Sequence, residues 1–162
     1  MSTAERRRNP ERGPGNRERI YEMKKKDRMK DTKTYHYYNA NPKGLYTGDC
    51  RYRAYALAND LPWDVTVVTV ALWTAKTGKV DYNGETISEV LQIFGNWTKH
   101  KEPKHADGTK YTVGELAEKL ITDYPVVVLV NGHVTCIQDK KVWDIWDCSK
   151  EYVRNYWTLE KE

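Results

Sequence analysis

The chain has 162 residues and a formal charge of +4, which suits one domain of ordinary size. Hydrophobic residues supply 39% and charged residues 31%, and no apolar run reaches the roughly 18 residues a transmembrane helix needs. The charged N-terminus lacks the apolar stretch of a secretory signal, and three cysteines, an odd number, cannot build a disulfide framework. Membrane, secreted-scaffold and fibrous classes are excluded on this reading, and reduced thiols in the cytoplasm are expected.

Charge is unevenly spread. Residues 1–34 hold twelve Lys/Arg and six Asp/Glu, so of the 27 and 23 in the whole chain, residues 35–162 keep 15 and 17. The expected organisation is therefore a basic, flexible extension over 1–34 and a slightly acidic domain over 35–162. The first 17 residues carry almost no apolar side chains to offset the entropy of ordering. Ile20, Met23 and Met29 among charges give at most a marginal helix. The extension reads as a solubilising segment whose charge also suits an acidic partner or nucleic acid.

Tyr35-His36-Tyr37-Tyr38 is β-prone, and Asn39 to Gly44 is turn chemistry. Asp49 is placed as the N-cap of an Ala-rich helix through Ala58, with Cys50 at its first position and Ala54, Leu57 and Ala58 on one face. A second helix is predicted over Trp63–Thr77, closed by Gly78. A third, amphipathic on Ile87, Val90, Leu91 and Phe94, runs from 85 to 94 and ends at Gly95. Residues 96–110 read as a polar loop and a cleft wall. Thr112-Val113-Gly114-Glu115 is a capping-box pattern that opens a helix to about Asp123. From there the period becomes strand-like: Val126–Val130, His133–Ile137, a turn at Asp139-Lys140, Val142–Trp146, then Val153–Leu159. Helices first and an antiparallel sheet afterwards define an α+β domain.

A Cys at a helix start, a distant His opening a hairpin and an acid on the return strand form a chemically meaningful order. The partial positive charge of a helix N-terminus stabilises a thiolate. A neighbouring His exchanges the thiol proton, and a carboxylate on its other nitrogen sets the tautomer. A turn centred on Lys140 sets His133 opposite Asp147 and Asp144 opposite Cys136, so Asp147 is the preferred third member and Asp144 the reserve. Cys136 reads as core. The spacing of Cys136, Cys148, His100 and His105 is not that of a zinc site, and no metal or cofactor is expected. Of Trp143 and Trp146, one is expected in the core and the other beside the His–Asp pair.

The motifs Asn41-Pro42-Lys43-Gly44, Thr47-Gly48-Asp49-Cys50, Arg53-Ala54, Trp97-Thr98-Lys99, Thr109 to Gly114, Gly132-His133-Val134-Thr135, Trp143 to Ser149 and Asn155-Tyr156-Trp157 together resemble the papain-like cysteine peptidase superfamily. Among its members they are most similar to small phage and prophage proteins. The resemblance covers about residues 35–158. It implies N-terminal helices, one carrying the Cys, packed on a C-terminal antiparallel sheet. It further implies Cys50 as nucleophile, His133 as general base and acid, Asp147 as orienting residue, a protein or peptide amide as substrate, and the host cytoplasm as location. Such enzymes usually carry an oxyanion-hole Gln about six residues before the Cys. Position 44 is Gly, and of the nearby amides of Asn39 and Asn41, Asn41 lies in the matching motif. A catalytically silent binding protein on the same fold is the alternative.

Overall fold

The computed structural model describes residues 25–160, so residues 1–24 of the extension expected over 1–34 lie outside the described residues. Residues 25–28 are helical. The stretch after them is tied to the domain: Val142 N donates to the Thr34 carbonyl, the Tyr35 hydroxyl donates to the Arg28 carbonyl at 2.7 Å, and Asp31 accepts from Tyr37 N.

Strand β1 is Tyr35–Tyr37; helices α1, α2 and α3 are Cys50–Ala58, Trp63–Thr77 and Gly84–Phe94. Strand β2 (Trp97–His100) and helix α4 (Val113–Lys119) lead into β3 (Val126–Val130), β4 (His133–Gln138), β5 (Lys141–Asp144) and β6 (Asn155–Leu159). The architecture is α+β, with a six-stranded sheet in the order β1-β5-β4-β3-β6-β2. No described helix is long and apolar enough to cross a membrane.

Side chains on the two faces of the sheet meet different helices. Val127, Val134, Cys136 and Trp157 pack with Tyr55, Val70, Ile87 and Leu91 of α1–α3. Val126, Val128, Val130, Ile137 and Val142 pack with Val113, Leu116 and Ala117 of α4. The unbroken apolar run of β3 follows from this, because a strand covered on both sides has no solvent face to alternate with. Cys136 is fully buried core, as its sequence context indicates.

Three expectations are corrected. The sheet is mixed, because β1 pairs in parallel with β5 at its edge while the other ladders are antiparallel. Residues 97–100 are a strand on β6 and not loop: Trp97 is buried, while Lys99 and His100 give the edge the polar character that hides it in the sequence. Helix α4 stops at Lys119, short of Asp123. The capping boxes at Thr112 and at Asn83 both form, and Gly78 closes α2 in the left-handed region.

Candidate active site

The turn between β4 and β5 decides the site. Asp139 and Lys140 both have positive φ, the signature of a two-residue type I′ turn. The ladder therefore pairs Gln138 with Lys141, Ile137 with Val142 and Cys136 with Trp143, one residue off the register centred on Lys140. Continued, this register sets Trp146 opposite His133, and their rings are 5.0 Å apart. Asp144 is then the diagonal neighbour of His133, within side-chain reach. Its Oδ2 lies 2.6 Å from His133 Nε2.

The carboxylate on His133 is thus Asp144's and not Asp147's. Asp147 is exposed, and its Oδ1 accepts from Ser149 N. Asp144 is buried, and its Oδ1 accepts from Ile145 N at 2.7 Å and faces Arg53 Nη2 at 3.5 Å. Neither flanking Trp is fully buried: Trp146 covers His133, and Trp143 lies against His36 and Tyr38.

Cys50 meets His133 from the start of α1. Burial pushes its thiol up, but hydrogen bonds with the His133 ring and the Val134 N–H, together with the charges of His133 and Arg53, bring it below its ordinary value. Burial works against the His133 imidazolium, yet hydrogen bonding with Asp144, Cys148 and Cys50 raises its pKa well above the usual histidine range. With Nε2 on Asp144, Nδ1 is the nitrogen left for the thiol. A thiol lowered beside an imidazole raised is the arrangement of a thiolate–imidazolium pair.

Cys148 also contacts His133, and its environment has the opposite sign. It is fully buried, and burial raises its thiol despite the hydrogen bond with His133. Cys50 is half-buried and lines an open cleft. Of the two thiols, Cys50 is the one with both access and thiolate character.

His133, Asp144 and Cys148 bring one ligand atom each to within 4.8 Å of one another. The donor types suit a transition metal, but the Arg53 guanidinium on the same carboxylate opposes a cation there.

Asn41 is not in the cleft. It is buried, its Nδ2 donates to Asp49 Oδ2 at 3.2 Å, and its Oδ1 accepts from Lys43 N. Asn39 serves the same loop, donating to the Leu45 carbonyl and accepting from Asn41 N. Gly44 sits at φ +62 in this loop, a conformation that favours glycine.

Asp49 precedes α1 as expected, but its side chain makes no cap. At φ −103 and ψ 24 its backbone is not in the extended form of a capping residue. Its carboxylate instead pairs with Arg53 and accepts from Trp63 Nε1 at 3.0 Å. Arg53, buried between Asp49 and Asp144, is the residue of this cluster to which the sequence alone assigned no role. The i, i+4 spacing of Asp49 and Arg53 is the signal that was available.

The cleft has a volume of about 440 Å³. Its walls are Tyr82-Asn83-Gly84, Leu129-Val130, Gly132 and Arg154, and no residue of 96–110 lines it, which corrects the expected wall. Gly132 at φ +68 delivers the chain into β4 just before His133. Gly132→Ala is expected to cost about 1 kcal/mol through a left-handed Ala, measured by urea unfolding. No family model, curated protein or solved structure matches this chain.

Proposed function

We propose that this protein is a thiol-dependent acyl-transfer enzyme of papain-like type acting on a protein or peptide amide, with Cys50, His133 and Asp144 as its triad. The observation that carries the reading is His133 held at 2.6 Å by a buried carboxylate while lining the same cleft as Cys50.

The thiolate attacks the amide carbonyl, forming the C–S bond and moving an electron pair onto oxygen. Collapse breaks the C–N bond, and the imidazolium gives its proton to the departing amine, leaving a thioester. His133, now neutral, takes a proton from the acyl acceptor as it attacks. Expulsion of the thiolate then completes the cycle and restores the imidazolium. Water as acceptor gives hydrolysis and an amine gives transfer; the first half is common to both. The Cys50 N–H, at the start of α1, is a backbone donor for the oxyanion. Asn83 supplies the one side-chain amide in the cleft lining, and its Oδ1 is committed to the α3 cap, so its NH₂ is the group left for a ligand.

A second reading, a catalytically silent binding protein on the same fold, draws support from the engagement of both Asn39 and Asn41 within their loop.

One measurement separates the two. Cys50 in the wild-type protein should be alkylated by iodoacetamide at pH 6 at a rate whose onset lies below that of an ordinary thiol. The sign follows from the lowered thiol: more thiolate exists at a given acidic pH. His133→Ala removes the hydrogen bond and the charge that do most to lower the thiol, leaving the Val134 N–H and Arg53 against burial, which raises it. The pH 6 rate, read by intact mass, should then fall about tenfold or more, since each pKa unit is tenfold in thiolate. An unreactive Cys50, or one indifferent to His133, supports the binding reading.

A further inference from the structure

The lining of the cleft carries cations and no acid. Two guanidinium groups, Arg51 and Arg154, border it, and no Asp or Glu is among its lining residues. The two are not equivalent. Arg51 is engaged: Nη1 lies 2.6 Å from Asp81 Oδ1, and Nη2 donates to the Tyr82 carbonyl at 2.7 Å. It rivets the Tyr82–Gly84 wall to α1, and its charge is neutralised.

Arg154 is different. Its backbone N–H donates to the Leu129 carbonyl at 2.8 Å, next to the fully buried Val153, so the residue is fixed at the end of β3. Its side chain is exposed on the cleft, and no described carboxylate pairs with it. An anchored backbone with a guanidinium that no described carboxylate pairs, over a nucleophile-bearing cavity, is a placement that serves a ligand better than the fold.

We propose that the acyl donor carries a carboxylate close to its scissile bond and that Arg154 binds it. The inference rests on the thiol reading of the same site. A planar guanidinium fork matches a carboxylate in two parallel hydrogen bonds. One uncompensated positive charge also matches a monoanion better than a phosphate monoester, which is close to dianionic at neutral pH. The carboxylate belongs to either a chain terminus or an Asp or Glu side chain, and both sources use the same contact. Arg154 acts here as a specificity-determining residue, with no part in the bond changes at Cys50.

The test uses three iodoacetyl reagents on the full chain at pH 6, each followed by intact mass. N-iodoacetylglycine presents a terminal carboxylate, N-iodoacetyl-aspartic α-amide a side-chain carboxylate, and N-iodoacetylglycinamide none. Each alkylates by forming the C–S bond at Cys50 and releasing iodide. At least one acidic reagent should react saturably and about fivefold faster than the neutral one, the size expected of a partly exposed charge pair. That preference should drop below about twofold in Arg154→Gln, return at least partly in Arg154→Lys, and weaken with added salt. The acidic reagent that wins identifies the source of the carboxylate. Equal rates for all three reagents, or a preference that Arg154→Gln leaves untouched, would overturn the proposal while leaving the thiol reading intact. No reaction with any reagent would overturn both. Protection of Cys50 by inorganic phosphate more strongly than by glutarate would also reject a carboxylate as the preferred anion.

Discussion

Asp144→Asn should lower turnover of any substrate by roughly 10⁴, the order seen when a triad acid is replaced by its amide and the imidazole tautomer is lost. Asp147→Asn should leave it within about twofold, as suits an exposed residue. The geometry makes the two outcomes this far apart. Asp144 Oδ2 stands 2.6 Å from His133 Nε2, whereas Asp147 is exposed and turned to its own local backbone. An Asn at 144 has one oxygen: kept for Ile145 N, it leaves an NH₂ facing the ring, and turned to the ring as a neutral acceptor, it leaves an NH₂ facing Ile145 N. Burial, already the largest influence against the imidazolium, is then less opposed, and the Cys50 thiol loses its charged partner. The substrate need not be known to begin. The pH 6 alkylation rate of Cys50 should fall about tenfold or more in Asp144→Asn and stay near wild type in Asp147→Asn. Near-UV circular dichroism of each variant reports whether the fold is kept. Equal behaviour of the two variants would remove Asp144 from the proposed triad.

Arg53→Ala should destabilise the protein by about 3–5 kcal/mol, the range for breaking one partner out of a buried ion pair. Arg53 is 6% exposed and lies between Asp49 at 5% and Asp144 at 4%. Removing it leaves the buried Asp49 carboxylate without a counter-cation, leaves Asp144 with His133 alone, and opens a void beside α1. Asp49 retains donors from Asn41 and Trp63, and Asp144 retains Ile145 N and His133, so the loss falls on charge compensation more than on hydrogen-bond count. Urea unfolding gives the magnitude. The double variant Asp49→Asn/Arg53→Met should recover part of the loss, because it removes charge of both signs together. A loss below about 1 kcal/mol in Arg53→Ala would mean that this buried chain of charges contributes little to stability.

The network also ties stability to chemistry. Asp49 ends the loop that Asn41 braces, Arg53 passes its charge to Asp144, and Asp144 holds His133 against Cys50. A change at Arg53 should therefore move both the unfolding midpoint and the reactivity of Cys50.

Much of this was legible in the sequence because it depends on neighbours. Helical composition marked the helix that starts at Cys50, though not through the expected Asp49 cap, and local signals marked the α2 stop at Gly78, the amphipathic α3 and the strand pair on either side of Gly132. Those signals act within one or two turns of chain, and the structure keeps each of them. They also put a thiol at a helix start and an imidazole at a strand start.

What tertiary structure decided were the pairings between distant segments. The choice of Asp144 over Asp147 hung on one residue of hairpin register, set by positive φ at both Asp139 and Lys140. Composition does not distinguish that turn from one centred on Lys140, and a one-residue slip changes every partner. Asn41 was available to an oxyanion until the loop folded it onto Asp49. The strand at Trp97–His100 needed β6 to complete it, and β1 needed β5 from far along the chain. The cleft walls at Tyr82–Gly84 and Arg154 come from segments with no motif of their own. The sequence by itself determined which chemical groups stand at the start of which elements, because capping and periodicity are local. Only the tertiary structure decided which groups meet, because register and loop packing depend on contacts the chain makes once it has closed on itself.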